Sequence, residues 1–171
     1  MKLLKEIVRM QGLNLDGKAI HRDAVRAVII EGRRLLLIYS PKDRDYKFPG
    51  GGVSAGETKQ TALIREVREE SGATVLSIDE ELGKVIELDT PSEEGYDVFR
   101  MVSFYYLCTI HPVLGEQTLE QYERELGFTP VWADIDETIS ANKTLMHSTN
   151  FPRWTPRETF VLQYIKEKYR L

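Results

Sequence analysis

Two runs of apolar, β-branched residues near the start of the chain predict neighbouring strands. Residues 24–30 form the first run and residues 35–39 the second, and both favour extended backbone. Glu31 and Gly32 stand between them, and a glycine at this point suits a tight turn. We therefore predict a β-hairpin.

Helical and extended patterns follow one another further along the chain. Residues 58–71 repeat apolar side chains at helical spacing and predict a helix that ends at Gly72. Residues 98–110 are rich in β-branched and aromatic types and predict a long strand. Three more segments complete this part: a strand at 129–132, a polar turn at 90–95 and the start of a helix at 134–140.

The last helix has the clearest local signals. Thr155 suits the N-cap, Pro156 the first helical position, and Glu158 would complete a capping box. An apolar face follows at helical spacing, formed by Phe160, Val161, Tyr164 and Ile165. Strands followed by a central and a terminal helix predict an α/β fold with a mixed sheet and helices on its faces.

Length, charge and cysteine content narrow the class of protein. A chain of 171 residues suits one domain, residues 1–171, and a net charge of −4 argues against a long nucleic-acid track. Cys108 is the only cysteine, and its apolar surroundings predict a buried thiol. The charged N-terminus is unlike a signal peptide, and no apolar run reaches the roughly 20 residues of a membrane span. We therefore expect a cytoplasmic protein without a membrane segment.

Three glutamates on the central helix carry the chemical signal. Glu66, Glu69 and Glu70 are three and four positions apart, so they project together, beside an apolar stripe of Leu63 and Val67. Like charges at this spacing each cost roughly 0.2–0.5 kcal/mol. A divalent cation would remove that cost, and Mg²⁺ binds carboxylates together with substrate phosphates. Taken alone, the same pattern also fits a surface helix with solvated charges.

A glycine-rich loop precedes this helix. Gly50, Gly51 and Gly52 let the backbone approach an ion or a phosphate closely. The carbonyls of such a loop can bind a metal, and its amides can face an anion.

The stretch 51–73 resembles the Nudix box, G-x5-E-x7-R-E-U-x-E-E-x-G-U, in which U is a bulky apolar residue. Every fixed position is filled, by Gly51, Glu57, Arg65, Glu66, Val67, Glu69, Glu70 and Gly72. Two soft departures are Ala73, which is small for the last U, and Ser54, where many members carry an acid. The Phe-Pro-Gly segment at 48–50 and the predicted strand pair before it are also similar to the family.

The resemblance implies an α/β/α sandwich in which the box forms loop, helix and loop. It also implies a metal-dependent hydrolase that cleaves a diphosphate linkage. In the family, the positions of Glu66 and Glu70 bind the metal, Glu69 is a further ligand or the base, and the Gly50 carbonyl is a ligand. Mg²⁺ is the expected ion and Mn²⁺ an alternative.

The resemblance gives Arg65 and Glu57 an orienting role, through hydrogen bonds to the metal-binding groups. In different members the catalytic base lies in the box or in a later loop. Residues 111–126 form such a connection here and carry four candidates, Glu116, Glu120, Glu123 and Glu125. We favour Glu125 or Glu123, which lie just before the strand at Trp132, although each glutamate alone also fits a solvated loop charge.

Several residues outside the box are candidates for substrate contact. Arg22 and Arg26 could face a substrate phosphate, with a strand-end salt bridge as the alternative. Tyr46 and Phe48 precede the glycine loop, and one of them could stack on a base, with core packing as the alternative.

The expected activity is hydrolysis of a nucleoside diphosphate linked to another moiety, such as a nucleotide sugar, a nucleoside triphosphate or a dinucleotide polyphosphate. The main alternative is a non-catalytic Nudix-fold module that senses a nucleotide, although such modules usually lose box glutamates. We expect Glu70→Gln to abolish turnover and leave the fold intact. Homodimers are common in the family, and residues 1–17 could add a strand or an exchange arm.

Overall fold

The computed structural model describes residues 1–171 as eight strands and four helices. The strands are β1 (Leu3–Val8), β2 (Ala19–Val28), β3 (Ile30–Glu31), β4 (Arg34–Ser40), β5 (Asp45–Lys47), β6 (Val75–Asp89), β7 (Val98–Ile110) and β8 (Thr129–Asp134). The helices are α1 (Lys59–Ser71), α2 (Gln121–Leu126), α3 (Ile135–Leu145) and α4 (Thr155–Tyr169). No helix is both long enough and apolar enough to cross a membrane.

The first sheet is mixed and has the strand order β1-β6-β7-β2. β1 runs parallel to β6, β6 antiparallel to β7, and β7 parallel to β2. The register aligns Arg22, Met101 and Glu87 in one row across the sheet, and Phe99 and Asp89 in the next. Because alternate residues of a strand share a face, both rows point to the same side of the sheet.

The second sheet is built around β4, which pairs with β3, β5 and β8. The predicted hairpin is confirmed, since Ile30 pairs with Leu35 and Glu31 with Arg34, with Gly32 in the turn at a φ of 59°.

Two hydrophobic cores lie against helices from different parts of the chain. Side chains of β2 alternate between the two cores. Val25 and Ala27 pack toward α1 in the first core, whereas Val28 packs toward α3 and α4 in the second core. Fully buried Leu63 and Val67 attach α1 to the first core. This arrangement confirms the predicted α/β class with a mixed sheet and helices on its faces. Cys108 belongs to the first core, and burial raises the pKa of its thiol to about 12.

Helix α1 begins and ends as its sequence predicts. The Thr58 hydroxyl caps it by accepting from the Thr61 amide at 3.1 Å. Gly72 ends it at a φ of 69°, and its amide donates to the Arg68 carbonyl. A Cβ at Gly72 would lie 2.1 Å from the Gly115 carbonyl oxygen, so glycine is required at this position.

The start of α4 differs from the prediction. Thr155 is the first helical residue rather than the N-cap, and Trp154 precedes it without a side-chain cap. The Thr155 hydroxyl bonds buried Asp45, and the Glu158 carboxylate accepts from the Phe48 amide, so no capping box forms. Tertiary partners have therefore replaced the local bonds that the sequence predicted.

Two elements lie in segments whose structure the pattern left open. Residues 3–8 form β1 at the edge of the first sheet, which is the added strand among the two alternatives for the N-terminus. The predicted connection at 111–126 contains α2, which Glu120 and Glu123 cap reciprocally.

Candidate active site

A cavity of about 400 Å³ lies on the first sheet, on the face that carries the Arg22 and Asp89 rows. The glycine loop and Glu66 of α1 form its wall at β2, and α2 and the start of α4 form the other walls. This size lies in the range of small-molecule sites.

The glycine loop runs beside β2 and is hydrogen-bonded to it. The Val25 amide donates to the Gly51 carbonyl at 2.9 Å, and Ala24 and Gly52 form a bridge. Gly50 has a φ of 140°, and a Cβ there would lie 2.0 Å from the Val25 carbonyl oxygen. Only glycine permits this close approach. The Gly50 carbonyl itself accepts no hydrogen bond.

Glu70 is the most buried carboxylate of the box, with 1% of its surface exposed. One oxygen accepts from the Lys47 ammonium at 2.5 Å and the other from the Gly50 amide at 2.8 Å. Burial raises the pKa of Glu70, and the charges of Lys47 and Arg26 oppose that shift. The box helix is thus tied to β5 and to the glycine loop through one carboxylate.

Arg65 binds the remaining box carboxylates together. Its guanidinium donates to Glu57 at 2.9 Å, to Glu66 at 2.8 Å and to Glu69 at 3.0 Å. The hydrogen bond from Arg65 lowers the pKa of Glu57 to about 2. Burial raises the pKa of Glu66, against the bonds and charge of Arg65. A planar fork with five donors is suited to this task.

The box offers hard oxygen donors that suit a divalent cation. Glu66, Glu69, Glu70 and the Gly50 carbonyl supply them, and a Cβ at Gly51 would lie 2.2 Å from a Glu66 oxygen. No three acidic, histidine or cysteine side chains stand together as a closed ligand set. Arg65 and Lys47 act as internal counterions of these carboxylates. The donor chemistry fits Mg²⁺ or Mn²⁺.

Arg26 is the buried cation of the cavity floor. It is 8% exposed, and its Nε and Nη1 atoms have no hydrogen-bond partner. Its nearest carboxylate is Glu158, at 4.0 Å, which is beyond hydrogen-bond distance. Arg22 lies on the same face of β2, is exposed and forms no ion pair. Buried guanidinium donors are normally paired, so Arg26 has donors available for a ligand.

The four later glutamates lie in different places. Glu120 and Glu123 line the cavity, whereas Glu125 is exposed and bonds Gln121 at 3.0 Å. Glu116 is exposed and also lies outside the cavity. Glu123 is 4% exposed and accepts from the Tyr122 hydroxyl and the Glu120 amide, with no basic partner. Glu123 and Glu125 are two residues apart on α2, so they point to different sides of the helix. The sequence alone could not show which of them faces the cavity.

The two aromatic residues before the loop do not line the cavity. Phe48 is fully buried and packs edge-on against Tyr105, with ring centroids 5.6 Å apart. Tyr46 packs on Tyr39 at 4.9 Å, and its amide bonds Asn142. Phe48 is therefore a core residue, and Tyr46, which is half-buried, packs on Tyr39 outside the cavity.

Several residues that line the cavity were not predicted from the sequence. Lys47 stands next to a predicted core residue, and Arg9, Arg153 and Arg157 lie far from the box along the chain. Arg157 stands in the first turn of α4 beside Glu158, and its charge alone did not indicate that both side chains are buried.

Comparisons with known proteins agree with this geometry. A family model described as the NUDIX domain matches residues 20–155. An RNA pyrophosphohydrolase of a Nitratiruptor species is 27% identical over 126 residues, 72% of this chain and 75% of that protein. An 8-oxo-dGTP diphosphatase of Haemophilus influenzae is 30% identical over 106 residues, 59% of this chain and 67% of that protein.

Two solved structures share the fold. A NUDIX hydrolase from Nitrosomonas europaea superimposes with a TM-score of 0.54 at 21% identity, over 88% of this chain and 89% of that chain. A MutT NUDIX hydrolase from Burkholderia pseudomallei gives 0.52 at 18% identity, over 82% and 96%. At these identities the likeness concerns the fold alone.

Proposed function

We propose, from the premise that this chain belongs to the NUDIX domain family, that it is a metal-dependent pyrophosphohydrolase acting on a nucleotide derivative. One observation carries the proposal: Glu66 and the glycine loop of the complete box line a cavity together with a buried arginine, Arg26, whose guanidinium forms no hydrogen bond. The names of relatives, RNA pyrophosphohydrolase and 8-oxo-dGTP diphosphatase, support the same reaction class.

The Gly50 carbonyl, Glu66, Glu69 and Glu70 would hold Mg²⁺, or Mn²⁺ in its place. A divalent ion held there supplies Lewis acidity for the phosphoryl group and a lowered pKa for bound water. Arg65 positions Glu66 and Glu69 through its hydrogen bonds at 2.8 and 3.0 Å. Glu57 holds the opposite edge of the same guanidinium.

Arg26 would receive the phosphate that is attacked. Arg26 lines the cavity and its guanidinium forms no hydrogen bond within the chain, and guanidinium groups bind phosphate oxygens strongly. Arg26 lines the same cavity as Glu66 and the glycine loop, so its charge lies on the side of the box carboxylates that faces the cavity. Charge that develops on the phosphoryl oxygens would therefore meet a cation that is already in place.

Glu123 is our choice for the general base, with Glu69 of the box as the alternative. The Glu123 carboxylate is buried at the cavity and has no basic partner to hold it. It would take a proton from water as the water oxygen bonds to phosphorus and the anhydride P–O bond breaks, which leaves two phosphate products. Glu125, which the sequence favoured equally, lies outside the cavity.

The substrate we propose is a nucleoside diphosphate linked to another moiety, with nucleoside triphosphates first among the candidates because a relative acts on one by name. Nucleotide sugars and dinucleotide polyphosphates are the further members of the class. A non-catalytic nucleotide sensor is less well supported, because all box glutamates are present. We also propose that the protein is cytoplasmic and forms a homodimer.

The decisive experiment is a panel of nucleoside triphosphates, nucleotide sugars and dinucleotide polyphosphates, assayed for phosphate products with and without Mg²⁺ or Mn²⁺. We expect turnover of at least one substrate only with metal, and a loss of about 100-fold or more in Glu66→Gln. Glu116→Gln is the matched control, since Glu116 is exposed and outside the cavity. Metal-independent turnover, or full activity in Glu66→Gln, would contradict the proposal.

The base is tested by a pair of variants two residues apart. Glu123→Gln should lower kcat by about 100-fold or more, and Glu125→Gln should leave it unchanged. If the two variants lose activity equally or Glu123→Gln remains active, the assignment is wrong and Glu69 becomes the candidate.

A further inference from the structure

The cavity continues from the box across the sheet to a second group of residues. Phe99 and Met101 on β7 form its floor, and Asp89 on β6 follows beyond them. Met101 pairs with Arg22 of β2 and neighbouring strands lie about 4.8 Å apart, so this floor begins one strand away from Arg22, and Asp89 lies two strands, roughly 10 Å, across the sheet. One ribose unit can bridge a phosphate on β2 and a flat group on β7.

Two arginines meet Asp89 at this far end. Arg153 Nη1 lies 2.8 Å from the Asp89 carboxylate, and Arg9 Nε lies 3.8 Å from the same oxygen. Arg9 also pairs with Glu87 and donates to the Arg153 carbonyl. Arg9 directly follows β1, so it lies before the segment 20–155 that matches the family model.

The charges of the far end balance. Its three guanidinium groups, from Arg9, Arg153 and Arg157, face three carboxylates, from Glu87, Asp89 and Glu158. A balanced group has no general attraction for phosphate, in contrast to Arg26, whose guanidinium forms no hydrogen bond. It does retain donors, because the Arg153 side chain is 78% exposed and uses only Nη1.

The walls beside these donors are apolar. Phe99, Met101 and Trp154 line this part of the cavity, and the indole N–H of Trp154 is held by Asp45 at 2.6 Å. A fixed aromatic wall and an apolar floor suit a planar heteroaromatic ring.

We infer that this far end is a nucleobase site and that the guanidinium edge of Arg153, held by Asp89 and Arg9, selects guanine. Guanine presents two adjacent acceptors, O6 and N7, and guanidinium groups bind that pair with two hydrogen bonds. Adenine has a donor where guanine has O6, so it cannot accept both. The inference rests on the proposed function. It adds a base preference and gives Arg9, which follows β1 and precedes the family segment, a role in specificity.

The test is calorimetric binding of GMP and AMP to the full chain, which requires no turnover. The wild-type protein should prefer GMP by about tenfold or more, the range of one bidentate contact. Arg153→Gln should reduce the preference to about threefold or less, and Arg9→Gln should do the same by releasing Asp89 and Arg153. Phe99→Ala should weaken both nucleotides equally, because stacking does not distinguish the bases.

Arg34→Gln is the matched control, because Arg34 is an exposed arginine on β4 that pairs only with Glu31. It should keep the full preference, and thermal unfolding should show all variants folded. Equal binding of GMP and AMP by the wild type, or an unchanged preference in Arg153→Gln, would overturn the inference. A base preference without hydrolysis of any nucleotide would instead refute the proposed function, and hydrolysis without a preference would refute the base site alone.

Discussion

The ion pair between Lys47 and Glu70 should contribute strongly to stability, and this changes the expectation for Glu70→Gln. That substitution leaves the Lys47 ammonium, which is 8% exposed, without its carboxylate partner. Removing one partner of a buried ion pair costs about 3–5 kcal/mol. Lys47 borders the cavity, where water can reach it, so we expect about 3 kcal/mol. We therefore expect Glu70→Gln to weaken the fold, whereas the sequence alone predicted an intact fold.

A double-mutant cycle isolates this pair. Lys47→Met alone leaves Glu70 with only the Gly50 amide and should also destabilise the protein. The double variant Lys47→Met/Glu70→Gln buries no unpaired charge, so it should lie within about 1 kcal/mol of the wild type. The free energies of the single variants should therefore be strongly non-additive.

Urea denaturation followed by circular dichroism gives the four free energies of unfolding. Glu69→Gln is the matched control on the same helix, because Glu69 is 38% exposed and bonds Arg65 at 3.0 Å, a contact worth under about 1 kcal/mol. A double variant as unstable as the sum of its parts would refute the reasoning. The folded double variant should still lack turnover, which separates the chemical role of Glu70 from its structural one.

Three other substitutions test separate parts of the structure. Burial raises the pKa of Asp45 from 3.8 to about 6, so the folded state holds this proton more tightly than the unfolded state. The contribution of Asp45 to stability should therefore fall by about 3 kcal/mol as pH rises from 4 to 6, and Asp45→Asn should remove that fall in urea titrations across this range. Gly51→Ala should lower kcat sharply with little change in the thermal midpoint, since a Cβ would lie 2.2 Å from a Glu66 oxygen and displace it. Phe48→Ala should cost about 3–5 kcal/mol in urea denaturation because Phe48 is fully buried.

The sequence predicted the parts of the site that depend on contacts between residues close together in the chain. The box helix, its cap at Thr58 and its end at Gly72 depend on residues within a few positions, and these predictions are confirmed. Contacts between distant segments had no such signal. Lys47 meets Glu70 across 23 positions, and Arg153 meets Asp89 across 64. Thr155 and Glu158 show the same limit, because buried partners outcompeted the predicted cap.

The internal counterions also change the physical argument for a metal. Clustered carboxylates in a sequence suggest a missing cation, but Arg65 and Lys47 already pair with Glu57, Glu66, Glu69 and Glu70 in the fold. Two cations only partly neutralise four carboxylates, so the cluster keeps a net negative charge that a divalent ion could offset. The stronger argument is the Gly50 carbonyl, which accepts no hydrogen bond although its neighbours at Pro49 and Gly51 both accept from β2. A backbone oxygen left free beside buried Glu70 can serve as a hard oxygen ligand for the proposed divalent ion.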